Sequence, residues 1–280
     1  MSSAGSLVAG TSEHQALRGR WSRLSWLAVL VLGVAAYLLV LRTLVVTQNL
    51  NFLPSLLLLG SIVVPASVLT FAVSSGRRPV VSTGLVALVA VFGGVIGTVA
   101  AGTLEYDTLQ RLGTVPMLFV GLIEESAKLI VPLVVLLFTR HRDPRAGVVI
   151  GVASGMGFAT LETMGYGFNA LLSSRSLAAV DQTLLLRALL SPAGHVAWTG
   201  LTCAALWAIA SSPRKGRAVV RALLTFLAAV LLHAAWDGSN NLIVHILVGG
   251  LSVTALLIAI RRAHRAEPPA VTAGPALVSR

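Results

Sequence analysis

Two shortages set the first limits on this chain. It has one cysteine, Cys203, and only 11% of its 280 residues are charged. A lone cysteine excludes an internal disulfide and a cysteine metal cluster. Cys203 lies in an apolar stretch and reads as a small packing residue. Soluble globular domains carry about 25% charged residues, so the shortage of charge excludes an ordinary soluble domain. Three signatures are also missing. Without His-Glu-x-x-His there is no usual helical zinc-protease motif. Without Gly-x-Ser-x-Gly or a clear Ser/Lys pair, serine chemistry is disfavoured.

What is present is long apolar runs. Apolar residues make up 56% of the chain, and its mean hydropathy is +0.87. Runs of about 20 apolar residues, the length that crosses a bilayer as a helix, recur almost throughout. They predict about eight transmembrane helices, near 26–46, 52–75, 80–102, 115–138, 146–170, 184–210, 219–237 and 242–260. The expected fold is all-α: a polytopic helical bundle enclosing a polar cavity. Residues 1–25 read as a cytoplasmic tail, 26–260 as one membrane domain, and 261–280 as a disordered basic tail rich in Pro and Ala.

The net charge of +11 could suggest nucleic acid, but its placement argues otherwise. Basic residues crowd alternate loops: Arg18, Arg20 and Arg23; Arg77 and Arg78; Arg140, Arg142 and Arg145; Arg214, Lys215, Arg217 and Arg221; Arg261, Arg262 and Arg265. The loops between hold only Arg42, Arg111, Arg175 and Arg187. This alternation follows the positive-inside rule and predicts both termini in the cytoplasm. The partner it implies is the lipid bilayer, not nucleic acid. The basic N-terminal stretch resembles the front of a signal peptide. The apolar run after it is long and lacks a small-residue cleavage site, so it reads as an uncleaved first helix.

Against that background the ionisable residues inside the runs stand out. Glu124, Glu125 and Lys128 interrupt the fourth run. Each costs roughly 2.5–3.5 kcal/mol on insertion scales, which makes each a candidate functional group. Lys128 follows Glu125 by three residues and Glu124 by four, so on a helix its ammonium reaches either carboxylate. Glu162 sits in the glycine-rich fifth run, sharing a face with Phe158 and Tyr166. The phrase His-x-x-Trp occurs twice, as His195 to Trp198 and His233 to Trp236. Asp237 follows His233 by four residues, placed to orient its imidazole. The aromatic residues read as packing. His245 has little claim to a role. His14, His141, His264, Glu105 and Asp107 read as solvated. Arg187 fits a headgroup anchor or a substrate contact equally well.

At 1.5 Å rise per residue, Glu124 and Glu125 lie about 14–15 Å below the outer surface and Glu162 about 12 Å below it. His195 and His233 fall in the same outer half, so four helices can converge on one cavity reached by water from outside. Carboxylates and histidines there suit two chemistries. In one, a glutamate activates water and the histidines donate to the oxyanion. In the other, His195, His233 and either Glu162 or Asp237 hold a zinc ion.

The motifs Glu124-Glu125-Ser-Ala-Lys128, Phe158-Ala-Thr-Leu-Glu162, Arg187 through Pro192 to His195-Val-Ala-Trp198, and His233-Ala-Ala-Trp236-Asp237 come in the order seen in a known family. Over a core of residues 115–240 the chain resembles the PrsW intramembrane proteases, which are related to the CAAX prenyl endopeptidases. It departs where Thr163 stands in place of the Asn common after the second-motif glutamate. The resemblance implies an intramembrane endopeptidase in the bacterial plasma membrane. Its implied task is regulated proteolysis of a single-pass membrane protein, such as an anti-sigma factor, on the extracytoplasmic side. The implied catalytic set is Glu124, Glu125, Lys128, Glu162, His195, His233 and Asp237. Glu124 and Glu125 activate water, Lys128 holds one glutamate ionised, and Glu162 and Asp237 orient the histidines or the water. Family members are often labelled metalloproteases, whereas the relatives are also described as glutamate-dependent, so the implied cofactor is zinc or none. Two other classes fit buried Glu, His and Lys: a proton-coupled transporter, disfavoured because no paired broken helices or half-chain repeat are read, and a non-catalytic scaffold.

Overall fold

The computed structural model describes residues 24–75, 80–139 and 143–265. His14, His141 and the arginines at 18, 20, 23, 77, 78, 140 and 142 lie outside them. The described residues are helical, with no strand among them. In chain order the helices are α1 (Ser25–Thr47), α2 (Leu53–Ser74), α3 (Thr83–Leu112), α4 (Met117–Lys128), α5 (Ile130–Phe138), α6 (Pro144–Ser174), α7 (Leu177–Leu190), α8 (His195–Ser211), α9 (Lys215–Asp237) and α10 (Leu242–Arg265). Single turns of 3-10 helix, Leu50–Phe52 and Ser191–Ala193, lead into α2 and α8. Helix α10 runs through Arg265, so the first residues expected in a disordered tail are helical.

Seven segments among the described residues are long and apolar enough to cross a membrane. The chain is a polytopic membrane protein. The eighth expected run, 115–138, is divided between α4 and α5, and neither piece is long enough alone. The sixth, expected from 184, is one apolar segment from Leu177 to Ser211 interrupted at Ser191–Ala193.

Proline causes both interruptions. Pro132 has no N–H to give to the carbonyl four residues back, that of Lys128, and its ring crowds that carbonyl. The helix tightens at Leu129, whose N–H bonds Ser126. The freed Lys128 carbonyl accepts the Ser154 hydroxyl from α6 at 2.7 Å. Likewise Pro192 cannot serve Ala188, whose carbonyl accepts the Ser191 hydroxyl at 3.0 Å. Inside a bilayer an unpaired carbonyl has no water to turn to, so these hydroxyls make the breaks tolerable. No paired broken helices were read from the sequence; among the described residues two helices are broken, and each break adjoins an ionisable residue of interest: Lys128 ends α4, and His195 begins α8.

Helix α6 is the hub. It packs most extensively on α8, then on α3 and α2, while α4 packs on α9 and α3. Close approach explains its glycines. A Cβ on Gly157 would sit 1.9 Å from the Ala90 carbonyl oxygen on α3. A Cβ on Gly155 would sit 2.5 Å from the His195 carbonyl oxygen. Only glycine lets α6 touch both neighbours backbone to backbone. The core beside it includes Val149, Ile150, Val152, Val196, Trp198 and Trp207.

Candidate active site

Four helices deliver the ionisable residues to one place. Helix α4 ends on Glu124, Glu125 and Lys128; α6 supplies Glu162, α8 its first residue His195, and α9 its last turn, His233 and Asp237. All seven predicted residues meet there.

Lys128 is at the centre. It is wholly buried, and its Nζ donates to Glu125 Oε1 at 2.8 Å and Glu124 Oε2 at 3.0 Å. It also lies 2.7 Å from His195 Nδ1 and 4.2 Å from the centre of the Phe158 ring. An ammonium has only donors. His195 Nδ1 is therefore the acceptor, and Nε2 carries the ring proton towards Glu162 Oε2, 2.8 Å away. Glu162 Oε2 is held from the other side by Arg187 Nη2 at 2.8 Å, and the Arg187 guanidinium lies 3.7 Å over the Tyr166 ring.

His233 forms the second arm. Its Nδ1 is 2.9 Å from Glu125 Oε1 and its Nε2 is 3.0 Å from Asp237 Oδ2. Whichever nitrogen carries the proton finds a carboxylate. The ring leans on Trp198, centroids 5.0 Å apart, and Trp198 Nε1 donates to Ser252 Oγ at 2.9 Å.

The two glutamates are not equivalent. Glu125 Oε1 is shared by Lys128 and His233, and its side chain is 2% exposed. Glu124 is 9% exposed, and its Oε2 lies 3.6 Å from His233 Nε2 and 3.8 Å from His195 Nδ1. Exposure then rises outward through His195, Glu162 and Arg187 to Asp237 at 38%. The cluster thus has a dry floor of Lys128, His233 and Glu125 and an open edge at Asp237 and Arg187.

The sequence reading placed too little in the site. Phe158 and Trp198, read as packing, pack as its walls, against Lys128 and His233. Arg187 belongs to it through Glu162. Ser154 and Ser252 were invisible, because their partners lie 26 and 54 residues away. Glu105 is not in a solvated loop. It is part-buried on α3, and its Oε1 lacks a hydrogen-bond partner among the described residues. His264 is likewise not free in solvent, since its Nε2 lies 2.8 Å from the Ala72 carbonyl oxygen. His245 contacts the carbonyls of Asn241 and Trp236 at the α9–α10 turn and stays outside the cluster.

The residues suit a metal in kind, with donor atoms somewhat wider apart than a bound ion would hold them. Glu124, His195 and His233 each offer a ligand atom, all within 4.8 Å of one another. Tetrahedral zinc with bonds of about 2.0–2.2 Å needs donors roughly 3.4 Å apart. Behind the ligands, Glu162 faces the far nitrogen of His195 and Glu125 that of His233, the usual carboxylate–histidine arrangement. The carboxylate of this candidate triad is Glu124. Glu162 and Asp237, expected as ligands, stand behind or beside the histidines.

A polytopic helical protein that gathers four carboxylates, two histidines and a lysine at the junction of broken helices has the build of a membrane-embedded hydrolase. The sequence profile described as "PrsW family intramembrane metalloprotease" matches residues 65–261. The chain belongs to that family. No curated protein and no solved structure matches it.

Proposed function

We propose that this protein hydrolyses a peptide bond of a single-pass membrane protein, at the extracytoplasmic edge of the bilayer, with Glu124 as the water-activating base. One observation carries the assignment. Glu124 Oε2 is the carboxylate oxygen that faces Lys128 Nζ at 3.0 Å and both imidazoles within 3.8 Å. A water there has a base, and the carbonyl it attacks has nearby donors.

The alternation of basic loops supports cytoplasmic termini. On that orientation α4 and α8 bring the cluster to the outer half of the bilayer, with the Asp237 edge outward. Substrate bound along this edge presents its carbonyl to the cluster. Glu124 takes a proton from water as the oxygen attacks the carbonyl carbon. The carbonyl oxygen gains the negative charge, which Lys128 and an imidazole N–H stabilise. The C–N bond then breaks, and Glu124 returns its proton to the leaving amine. Glu125 and Asp237 hold His233, and Glu162 with Arg187 holds His195. A zinc ion, when bound, would be held by Glu124, His195 and His233 and would supply Lewis-acid polarisation. Family likeness favours an anti-sigma-factor-like substrate in a bacterial plasma membrane.

Glu124→Gln tests this. Cleavage of a membrane-bound substrate, found by membrane proteomics as a single-pass protein that loses its cut form, should fall about 10²–10⁴-fold while the protein accumulates normally. Cleavage at the wild-type rate in Glu124→Gln sinks the assignment. The two broken helices beside buried charges are also a feature of carriers. Solute flux in liposomes without any peptide substrate would favour that second reading.

A further inference from the structure

We propose that Lys128 and a divalent metal ion are alternative occupants of one seat, and that the ammonium fills it in the folded protein. The inference rests on the site reading above only in taking Glu124, His195 and His233 as the metal donors.

The reason lies in counting lone pairs. A neutral imidazole has one acceptor nitrogen. In His195 that nitrogen is Nδ1, and it faces Lys128 Nζ at 2.7 Å. A metal at His195 needs the same lone pair, so it would stand within about 1 Å of the ammonium nitrogen, given a Zn–N bond of about 2.0 Å. Glu124 Oε2, the second donor, is also committed to Nζ, at 3.0 Å. Turning the His195 ring would give up the approach of its other nitrogen to Glu162, 2.8 Å away.

The ammonium, for its part, has nowhere better to go. Its side chain is wholly buried and is held by two carboxylates and the Phe158 face. The carbonyl of the same residue is pinned by Ser154 at 2.7 Å. Withdrawing Nζ would leave a buried cation without its carboxylates, an expensive state in a low-dielectric interior. Two cations closer than 3 Å would repel strongly there. Lys128 therefore does by charge what the metal would do, and Glu124, bonded to it through one lone pair, keeps others with which to act on water. In a chain of a metalloprotease family, this places the residue that decides metal occupancy at 128.

The test is zinc binding by the full-length chain in detergent, without substrate, so it stands or falls independently of whether cleavage is found. Zinc content after dialysis and zinc affinity by calorimetry are measured for wild type, Lys128→Met, Lys128→Gln and Lys128→Met/His195→Ala. Wild type should retain well under one zinc per chain. The Lys128 variants should retain one and bind it tighter by on the order of 100-fold. The added His195→Ala should abolish the gain. Cobalt(II) should give tetrahedral absorption bands in Lys128→Met and none in wild type. The proposal is overturned if wild type holds one zinc that His195→Ala removes, a result that needs no Lys128 variant to fold. It is overturned equally if folded Lys128→Met and Lys128→Gln bind no more zinc than wild type.

Discussion

Helices α1 and α6 would both be read as membrane spans, yet the structure uses them oppositely. Helix α1 is the more apolar, and only 6% of its apolar window is buried, against 83% for α6. The less apolar helix forms the interior because lipid tails are as apolar as leucine, so greasiness gives no reason to be inside. Close contact does. The glycines and Ser154 of α6 let α3 and α8 approach to backbone distance, and the slot so made holds Glu162 and receives Ser154's bond to Lys128. Helix α1 packs chiefly on α2, and its main polar tie outward is Tyr37, which donates to Asp181 on α7. Span by span, hydropathy says where the membrane is; small residues say where the centre of the protein is.

The sharpest way to break this contrast is at Gly157. The Cβ of any other residue would fall 1.9 Å from the Ala90 carbonyl oxygen and 3.0 Å from the Gly94 nitrogen. Backbone on both sides cannot yield, so α3 and α6 must separate. Gly157→Leu is expected to lose more than about 3 kcal/mol. Folded protein should disappear from size-exclusion profiles of detergent extracts. A normal monodisperse peak for Gly157→Leu would mean that α6 is not the hub.

The contrast also marks what could be read from the residues alone. Charged groups inside apolar runs pointed to four helices meeting at one cluster, because such groups are too costly unless they meet. The breaks at Leu129 and Ser191–Ala193 were less legible, although Pro132 and Pro192 were in plain view. A proline marks only a missing donor. Whether the helix ends there depends on a hydroxyl from elsewhere, and Ser154 lies 26 residues from Lys128. The difference between Glu124 and Glu125 was hidden for a similar reason. Neighbours on a helix point about 100° apart, given 3.6 residues per turn. Which one faces the open edge is decided by the α4–α9 contact. Arg187 could not be assigned until α7 brought it to Glu162.

Ser154→Ala probes the same slot with a smaller change. It removes one hydroxyl and leaves the Lys128 carbonyl unpaired in a dry place, at a cost of about 1–3 kcal/mol. The protein should still fold, with a lower melting temperature, and cleavage should fall several-fold as Lys128 loosens. Ser154→Thr, which keeps the hydroxyl, should recover part of both. An unchanged melting temperature in Ser154→Ala would show that the end of α4 does not need this bond.

The smallest effect belongs to α1. Leu32 is 70% exposed, and in a bilayer that exposure is to acyl chains. Leu32→Ala exchanges one lipid-facing apolar surface for another and removes no protein contact of consequence. The expected change is within about 0.5 kcal/mol, with cleavage unaltered. The equivalent truncation within the α6–α8 core, where cavities cannot be filled by lipid, costs about 2–5 kcal/mol. A melting comparison of Leu32→Ala with Ile150→Ala, wholly buried in α6, therefore measures the asymmetry between the two helices directly. Equal shifts would mean that α1 is gripped by the bundle as tightly as α6, more than its packing on α2 and the Tyr37–Asp181 bond provide for.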